Sequence, residues 1–436
     1  MFEWCVMKSR LLALLCGVAL LLGCQRTSEP PAPAREVVAF KHYFSFGGAY
    51  AGTVDTIAKR FDDANTRYRL QVLPVEHETF KRQIRSELAE HRPADLYSYW
   101  AGARVASILD QLQPIDDVLP QAEMNKLFGP AIVKSASVYD GRVYFLPIAQ
   151  HYVAFVYNKK VFSALGLQPP KTWPELVSLA KRLKANGVTP FALGSKARWP
   201  AQFWFDYLLL RTAPLEYRQR LMDGRASFDD PEVRRVFDLW RELLQAGLFN
   251  AKPNELEFDS GAGLMVRRGE AAMTLMGTWL TGFYESPEVN WHEGEDFGFF
   301  PFPQIDPSIA PVALGPIDGL VLPREAKHPN GAKAVMRQFA LAGSQVEISR
   351  AMGALAPNLL VLDRHYSPSK QVLRDEIARN HAWAFNYDLA TPPERAEIGL
   401  NLFAAFVDAP EQATALLKQT AAQMAKLPPP APKTPH

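Results

Sequence analysis

Cysteine is nearly missing from this sequence. Its three copies, Cys5, Cys16 and Cys24, all fall within the first 24 of 436 residues, so the body of the chain has no disulfide and is held by packing. Charge of one sign is missing too. With 48 Lys and Arg against 46 Asp and Glu the net charge is +2, which argues against a nucleic-acid partner, since that requires a basic face. After the apolar run at 11–22 there is no second one, and that run is shorter than the ~20 residues that span a bilayer. The signatures of catalysis and metal binding are absent as well: no G-x-S-x-G elbow, no H-E-x-x-H, no C-x-x-C, no EF-hand loop, no G-x-G-x-x-G and no phosphate loop. Without a phosphate loop the chain is not a transporter ATPase, and no metal or cofactor is expected.

What is present begins with a leader. Lys8 and Arg10 precede the apolar run, which ends Leu21-Leu22-Gly23-Cys24 and gives way to polar sequence, the pattern of a secretion signal over 1–23. Glu3 lies ahead of the basic pair, so Met7 is an alternative start. The end of the run resembles a lipobox, in which cleavage exposes a cysteine whose thiol takes a lipid, making Cys24 the lipidation site. Residues 24–35 then form a Pro-rich tether reaching about 3 Å per residue. Loss of 1–23 leaves 46 basic and 45 acidic side chains. The expected location is extracytoplasmic, in the periplasm or at the cell surface, with the membrane engaged through acyl chains alone. Residues 428–436 are again Pro-rich and read as a disordered tail.

With 48% apolar and 22% charged residues the body is an ordinary globular chain, too long for one core, so two lobes are expected. Strand and helix patterns alternate: strand 37–46, helix 53–65 with Val54, Ile57, Ala58 and Phe61 on one face, strand 68–73, helix 78–90, strand 95–99. Such alternation predicts a parallel sheet with right-handed crossovers and helices on both faces, its ligands beyond the carboxyl ends of the strands. Asp140-Gly141 predicts a hairpin within 137–145. Thr172 to Glu175 spells a capping box with Pro174 in the first turn, opening a helix that buries Leu176, Leu179, Ala180 and Leu183 and stops at Gly187. A strand at 188–193 and an aromatic-rich helix at 200–211 follow. Asp230-Pro231 reads as N-cap and first-turn proline of a helix burying Val233, Val236, Phe237, Trp240, Leu243 and Leu244. From 369 to about 426 the pattern is helical.

The stretch 142–174, RVYFLPIAQHYVAFVYNKKVFSALGLQPPKTWP, reads as a strand kinked at Pro147, a second strand, a short helix, a proline turn and a new helix. Its Leu146-Pro147-Ile148, Tyr157-Asn158-Lys159 and Pro169-Pro170-Lys171-Thr172-Trp173 resemble a run in the bacterial extracellular solute-binding proteins of sugar-importing ABC systems, maltose-binding proteins among them. Gly269 to Met273, Gly277-Thr278-Trp279, FGFFPFP at 297–303 and GPIDGLVL at 315–322 follow in that family's order. The resemblance covers nearly the whole body. It implies a type II periplasmic-binding-protein fold: two discontinuous α/β lobes, 36–148 with 319–366 and 150–316 with 369–427, joined by a hinge with crossings near 147–151, 315–319 and 365–370. It implies no catalysis, a mono- or oligosaccharide gripped by lobe closure, and delivery to the permease subunits of an ABC importer. A monomer is expected.

A sugar presents an apolar face of C–H groups and an edge of hydroxyls, so its site needs ring platforms and planar hydrogen-bonding side chains. Two platforms burying about 100 Å² each contribute roughly 5 kcal/mol. A micromolar complex needs roughly 8 kcal/mol, and directed hydrogen bonds at about 1 kcal/mol each supply the rest. Trp100 ends a strand in YWAGAR, where the family has a sugar-contacting loop, and Arg104 follows it. His151 stands at the crossover where maltose-binding proteins carry a sugar-binding carboxylate, a departure that argues against maltose. Trp279 matches the family's stacking residue. Of Trp199 and Trp204 in RWPAQFW, one is expected in the cleft and the other in the lobe. Asp318, Phe46 and Trp383 complete the candidate ligand-binding set. The carboxylate pairs Asp62-Asp63, Asp116-Asp117 and Asp229-Asp230 read as caps and turn residues. Two alternatives stay open, a secreted carbohydrate-active enzyme and a sugar sensor signalling to a membrane receptor.

Overall fold

The structure, a computed structural model, describes residues 34–44, 48–379 and 382–428, with the side chains of 48–51 and 379 left aside. The leader, Cys24, the tether to residue 33, Phe46 and residues 429–436 lie outside the described residues. Alternating burial makes Glu36–His42 a strand (β1), with Val38, Phe40 and His42 turned inward. Gly48–Ala64 (α1) buries Val54, Ile57, Ala58 and Phe61 on one face. Tyr68–Pro74 (β2), His77–Ala89 (α2) and Leu96–Trp100 (β3) continue the rhythm. Val138–Tyr139 (β4) and Arg142–Val143 (β5) form the expected hairpin, its Asp140 and Gly141 both at positive φ (47° and 75°) as a type I′ turn requires.

Leu146–Gln150 (β6) leads almost directly into Val153–Asn158 (β7). Trp173–Ala185 (α3) carries the expected capping box, with the Glu175 carboxylate accepting the Lys171 and Thr172 amides at 2.7 and 3.3 Å. Thr189–Ala192 (β8), Gln202–Leu210 (α4) and Pro231–Gln245 (α5) follow. Asp230 stands at the N-cap position of α5 without capping it. Its carboxylate is taken instead by the Ser227 amide and the Tyr217 hydroxyl, at 3.0 and 3.1 Å. Leu244 is only partly buried. The remaining strands are Ala271–Gly277 (β9), Phe297–Phe300 (β10), Ala313–Leu314 (β11) and Ile317–Val321 (β12). Pro329–Ala340 (α6), Ala342–Met352 (α7) and Pro368–Arg379 (α8) precede a short strand, Trp383–Ala384 (β13). Tyr387–Ala390 (α9), Pro393–Asp408 (α10) and Ala413–Met424 (α11) end the described chain. The helical reading of 369–426 is thus broken: β13 pairs with β11 in parallel, and the backbone it uses is unavailable to a helix.

Two sheets organise the body. The first has the order β2-β1-β3-β12-β6 and the second β10-β7-β9-β8. Neither is the parallel sheet expected. β1 runs parallel to β3 and β8 to β9, but β12 is antiparallel to both β3 and β6, and β7 is antiparallel to both β9 and β10. The reason is the route of the chain: β6 leaves the first sheet and β12 re-enters it beside β6, so the two point in opposite directions. Where they pass, the His151 amide bonds the Pro316 carbonyl at 3.0 Å. A Cβ on Gly315 would lie 1.8 Å from the His151 carbonyl oxygen, which only glycine avoids. Each sheet has its own hydrophobic core, one around Phe40, Ile57, Leu96 and Phe339, the other around Phe155, Trp204, Phe237 and Phe403.

Candidate ligand-binding cleft

A cleft opens where the ends of β1 and β3 face the turn after β9 and the start of α4. It encloses about 760 Å³ including its mouth. Its first wall is aromatic. The Tyr43 ring stacks on Trp100 at 3.9 Å between centroids and 19° between planes, and His77, at the start of α2, sits edge-on to both. The opposite wall is aromatic as well: Trp279 meets Trp199 at 5.9 Å and Phe203 at 5.8 Å, and Trp199 leans on Phe258. Trp279 is aimed by its own motif. Its ring folds back over Gly277, where a Cβ would come within 1.9 Å of it, so the Gly-x-Trp spacing is a steric requirement. Across the cleft His77 and Trp199 are 6.1 Å apart.

Polar side chains link the walls. The Tyr43 hydroxyl donates to Asp318 Oδ1 at 2.8 Å, and Asp318 sits opposite Trp100 in the β3/β12 register. His151 Nε2 lies 3.3 Å from Asp318 Oδ2 without the alignment of a hydrogen bond, while Nδ1 is 3.1 Å from the Thr278 hydroxyl. Further along, Arg104 Nη2 donates to Asp388 Oδ2 at 3.0 Å, a pair in which both side chains are under a tenth exposed. Asp388 Oδ1 accepts from the Asn386 amide at 2.7 Å, and the Asp388 N–H donates to Gln202 Oε1 at 2.9 Å. Burial opposes ionisation of Asp388, but the Arg104 and Lys81 charges and the Arg104 hydrogen bond outweigh it and hold the carboxyl below its usual range. Burial likewise opposes charge on Arg104, and Asp388 more than compensates, raising it. His77 is pushed down by burial and by Lys81. Glu78 resists burial and falls to about 2 through its His77 and Lys81 partners. Among the described residues no group of three or more metal-type side chains comes together, and no helix is long and apolar enough to cross a membrane.

The model of the bacterial extracellular solute-binding protein family matches residues 48–346 of this chain. The chain belongs to that family. An ABC transporter extracellular-binding protein of Pyrococcus horikoshii is 28% identical over 366 residues, 82% of this chain and 80% of its own. Among solved structures, the bacterial solute receptor AcbH, with its exclusive substrate preference for β-D-galactopyranose, superposes with a TM-score of 0.82 at 25% identity, covering 90% of this chain and 99% of that one. A chitin oligosaccharide binding protein gives 0.79 at 20%, over 90% and 98%. The solute-binding protein therefore has the α/β type II fold, mixed sheets included. Family membership also sets aside the carbohydrate-active enzyme.

Of the residues singled out in this solute-binding protein, Trp100, Arg104, His151, Trp199, Trp279 and Asp318 line the cleft. Trp204 does not: it is wholly buried among Phe155, Phe191, Phe249 and Phe302. Trp383 packs against both cores and donates its indole N–H to the Gly315 carbonyl at 3.1 Å, which places it at the crossing and not on the cleft wall. Phe46 lies outside the described residues. The carboxylate pairs are spent elsewhere, Asp62 on the Leu70 amide, Asp63 on Lys59, Asp116 on Arg142, Asp117 on Lys333 and Asp229 on Arg234. Sequence reasoning missed Tyr43, His77, Gln202, Asn386 and Asp388. Tyr43 was within reach as the residue just past β1. The Phe385-Asn386-Tyr387-Asp388 run, two turn formers among aromatics, was a signal that the helical pattern stops.

Proposed function

We propose that this solute-binding protein captures a sugar between its two lobes and delivers it to the permease of an ABC importer, held at the membrane by a lipid on Cys24. The lobes are proposed as 36–148 with 319–366 and 150–316 with 369–427, rotating about the adjoining crossings. One observation carries the reading: two separate cores each present indole rings to one largely apolar cavity into which a few hydrogen-bonding side chains, Arg104, Asp318 and Asn386 among them, are set. Flat rings cover the C–H face of a sugar and the polar set meets its hydroxyls. The resemblance to a galactopyranose receptor at 25% identity supports a carbohydrate ligand.

A thermal-shift screen over a sugar panel tests this, because a ligand at a hundredfold its Kd stabilises by about 2.7 kcal/mol. The Trp279→Ala variant is expected to lose the shift produced by the best sugar. Retention of the full shift would remove Trp279 from the site.

A further inference from the structure

The segment around Asn386 is fastened to one core and touches the other. Arg218 Nη2 donates to the Phe385 carbonyl at 2.7 Å, the Tyr387 N–H to Asp206 Oδ2 at 2.7 Å, and the Asp388 N–H to Gln202 at 2.9 Å, all on the second core. Its tip crosses to the first, where Leu389 is buried. Gly102, at φ +95°, allows that contact, since a Cβ there would stand 2.5 Å from the Leu389 carbonyl oxygen. At this junction the Asp388 carboxylate holds Asn386 with one oxygen and Arg104 with the other.

That arrangement leaves three polar atoms over, one of them Gln202 Nε2. A carboxylate accepts only, so the Asn386 NH₂ must face Asp388 and its Oδ1 must point away. Asn386 Oδ1 and Arg104 Nε are both buried without a hydrogen-bond partner, in residues 6% exposed that line the cleft. Buried polar atoms are costly to leave unmatched, and here an acceptor and a donor share one carboxylate anchor. A hydroxyl is donor and acceptor at once and satisfies either. Charge balance narrows the ligand further. Arg104 is matched by Asp388 at 3.0 Å and Lys81 by Glu78 at 2.9 Å, so among the described residues no Lys or Arg lining the cavity is left over to receive a phosphate or carboxylate.

Resting on the sugar-binding reading, we propose that Asn386 and Arg104, both anchored on Asp388, are the specificity-determining pair and that they read the hydroxyl edge of an uncharged sugar. Calorimetry on the full chain with monosaccharides, their phosphate esters, the corresponding uronic acids and trisaccharides tests the class. The expected result is heat and a thermal shift for at least one uncharged sugar and none for its charged derivatives. Binding of a phosphate ester or a uronic acid overturns the proposal and leaves the sugar-binding reading standing. A panel without any binder overturns the sugar-binding reading itself.

The residues are tested by a cycle. Asn386→Ala is expected to weaken the best uncharged sugar at least about tenfold. A deoxy analogue lacking the hydroxyl that Asn386 reads weakens the native protein similarly but costs the variant nothing further. Asn386→Gln, which displaces the acceptor by one methylene, serves as a second variant and is expected to show the same loss with its unliganded melting temperature kept. Independent, additive losses for every deoxy position, or native affinity in either variant, would overturn the assignment.

Discussion

Trp199 and Trp204 share one seven-residue stretch, RWPAQFW, yet do opposite work. Trp199 stands in the short turn before α4 and looks into the cleft. Trp204, one turn into the helix, points the other way and fills the second core. Both are nearly inaccessible, at 8% and 0%, so burial alone does not tell a binding indole from a structural one; the neighbours do. Trp204→Ala is expected to cost about 3–5 kcal/mol, the loss typical of a buried indole, while any sugar-induced thermal shift survives. Urea unfolding measures the first and the sugar screen the second. A variant of native stability that no longer responds to sugar would reverse the assignment of Trp204.

At the scale of elements, the legible parts were those set by short-range chemistry. The Asp140-Gly141 turn, the Thr172 box and the apolar faces of α1, α3 and α5 follow from residues within a few positions of each other. Thr172→Ala removes the side-chain acceptor at the start of α3 and is expected to cost about 0.5–2 kcal/mol, read as a shift in the urea midpoint at unchanged slope. An unchanged midpoint would mean that Pro174 and Glu175 start the helix unaided. Strand direction was not legible, because β12 takes its sense from a distant crossing and not from its own five residues. Asn386 and Asp388 were hidden for the same reason. The side chains that hold the backbone of 385–388, Arg218, Asp206 and Gln202, stand far off in sequence, and local helical pattern on either side of β13 masked the break. The cleft indoles were readable from their places at strand ends; the polar residues that meet them were not.

For the whole molecule, the Arg104–Asp388 pair joins the two cores in a water-poor junction. Asp388 has a folded pKa below its ordinary value. Its stabilisation is therefore present above the unfolded value near about 4 and is lost as pH falls through the folded one. Asp388→Asn strands a buried guanidinium and is expected to cost about 3–5 kcal/mol at neutral pH, with a shallower acid limb than the native chain. Urea midpoints from about pH 2 to 7 for both proteins test this. Parallel curves would show that the pair does not govern acid stability.

The central position of β12 in the first sheet has a consequence for how this chain is made. A ribosome delivers β1, β2, β3 and β6 early, but the strand that must slot between β3 and β6 emerges only after the entire second sheet. Until Ile317 to Val321 arrive, β3 and β6 each keep an unpaired edge. Completion of the nascent protein is thus deferred to a late, long-range closure, and any truncation before Ile317 leaves an unfinished amino-terminal half.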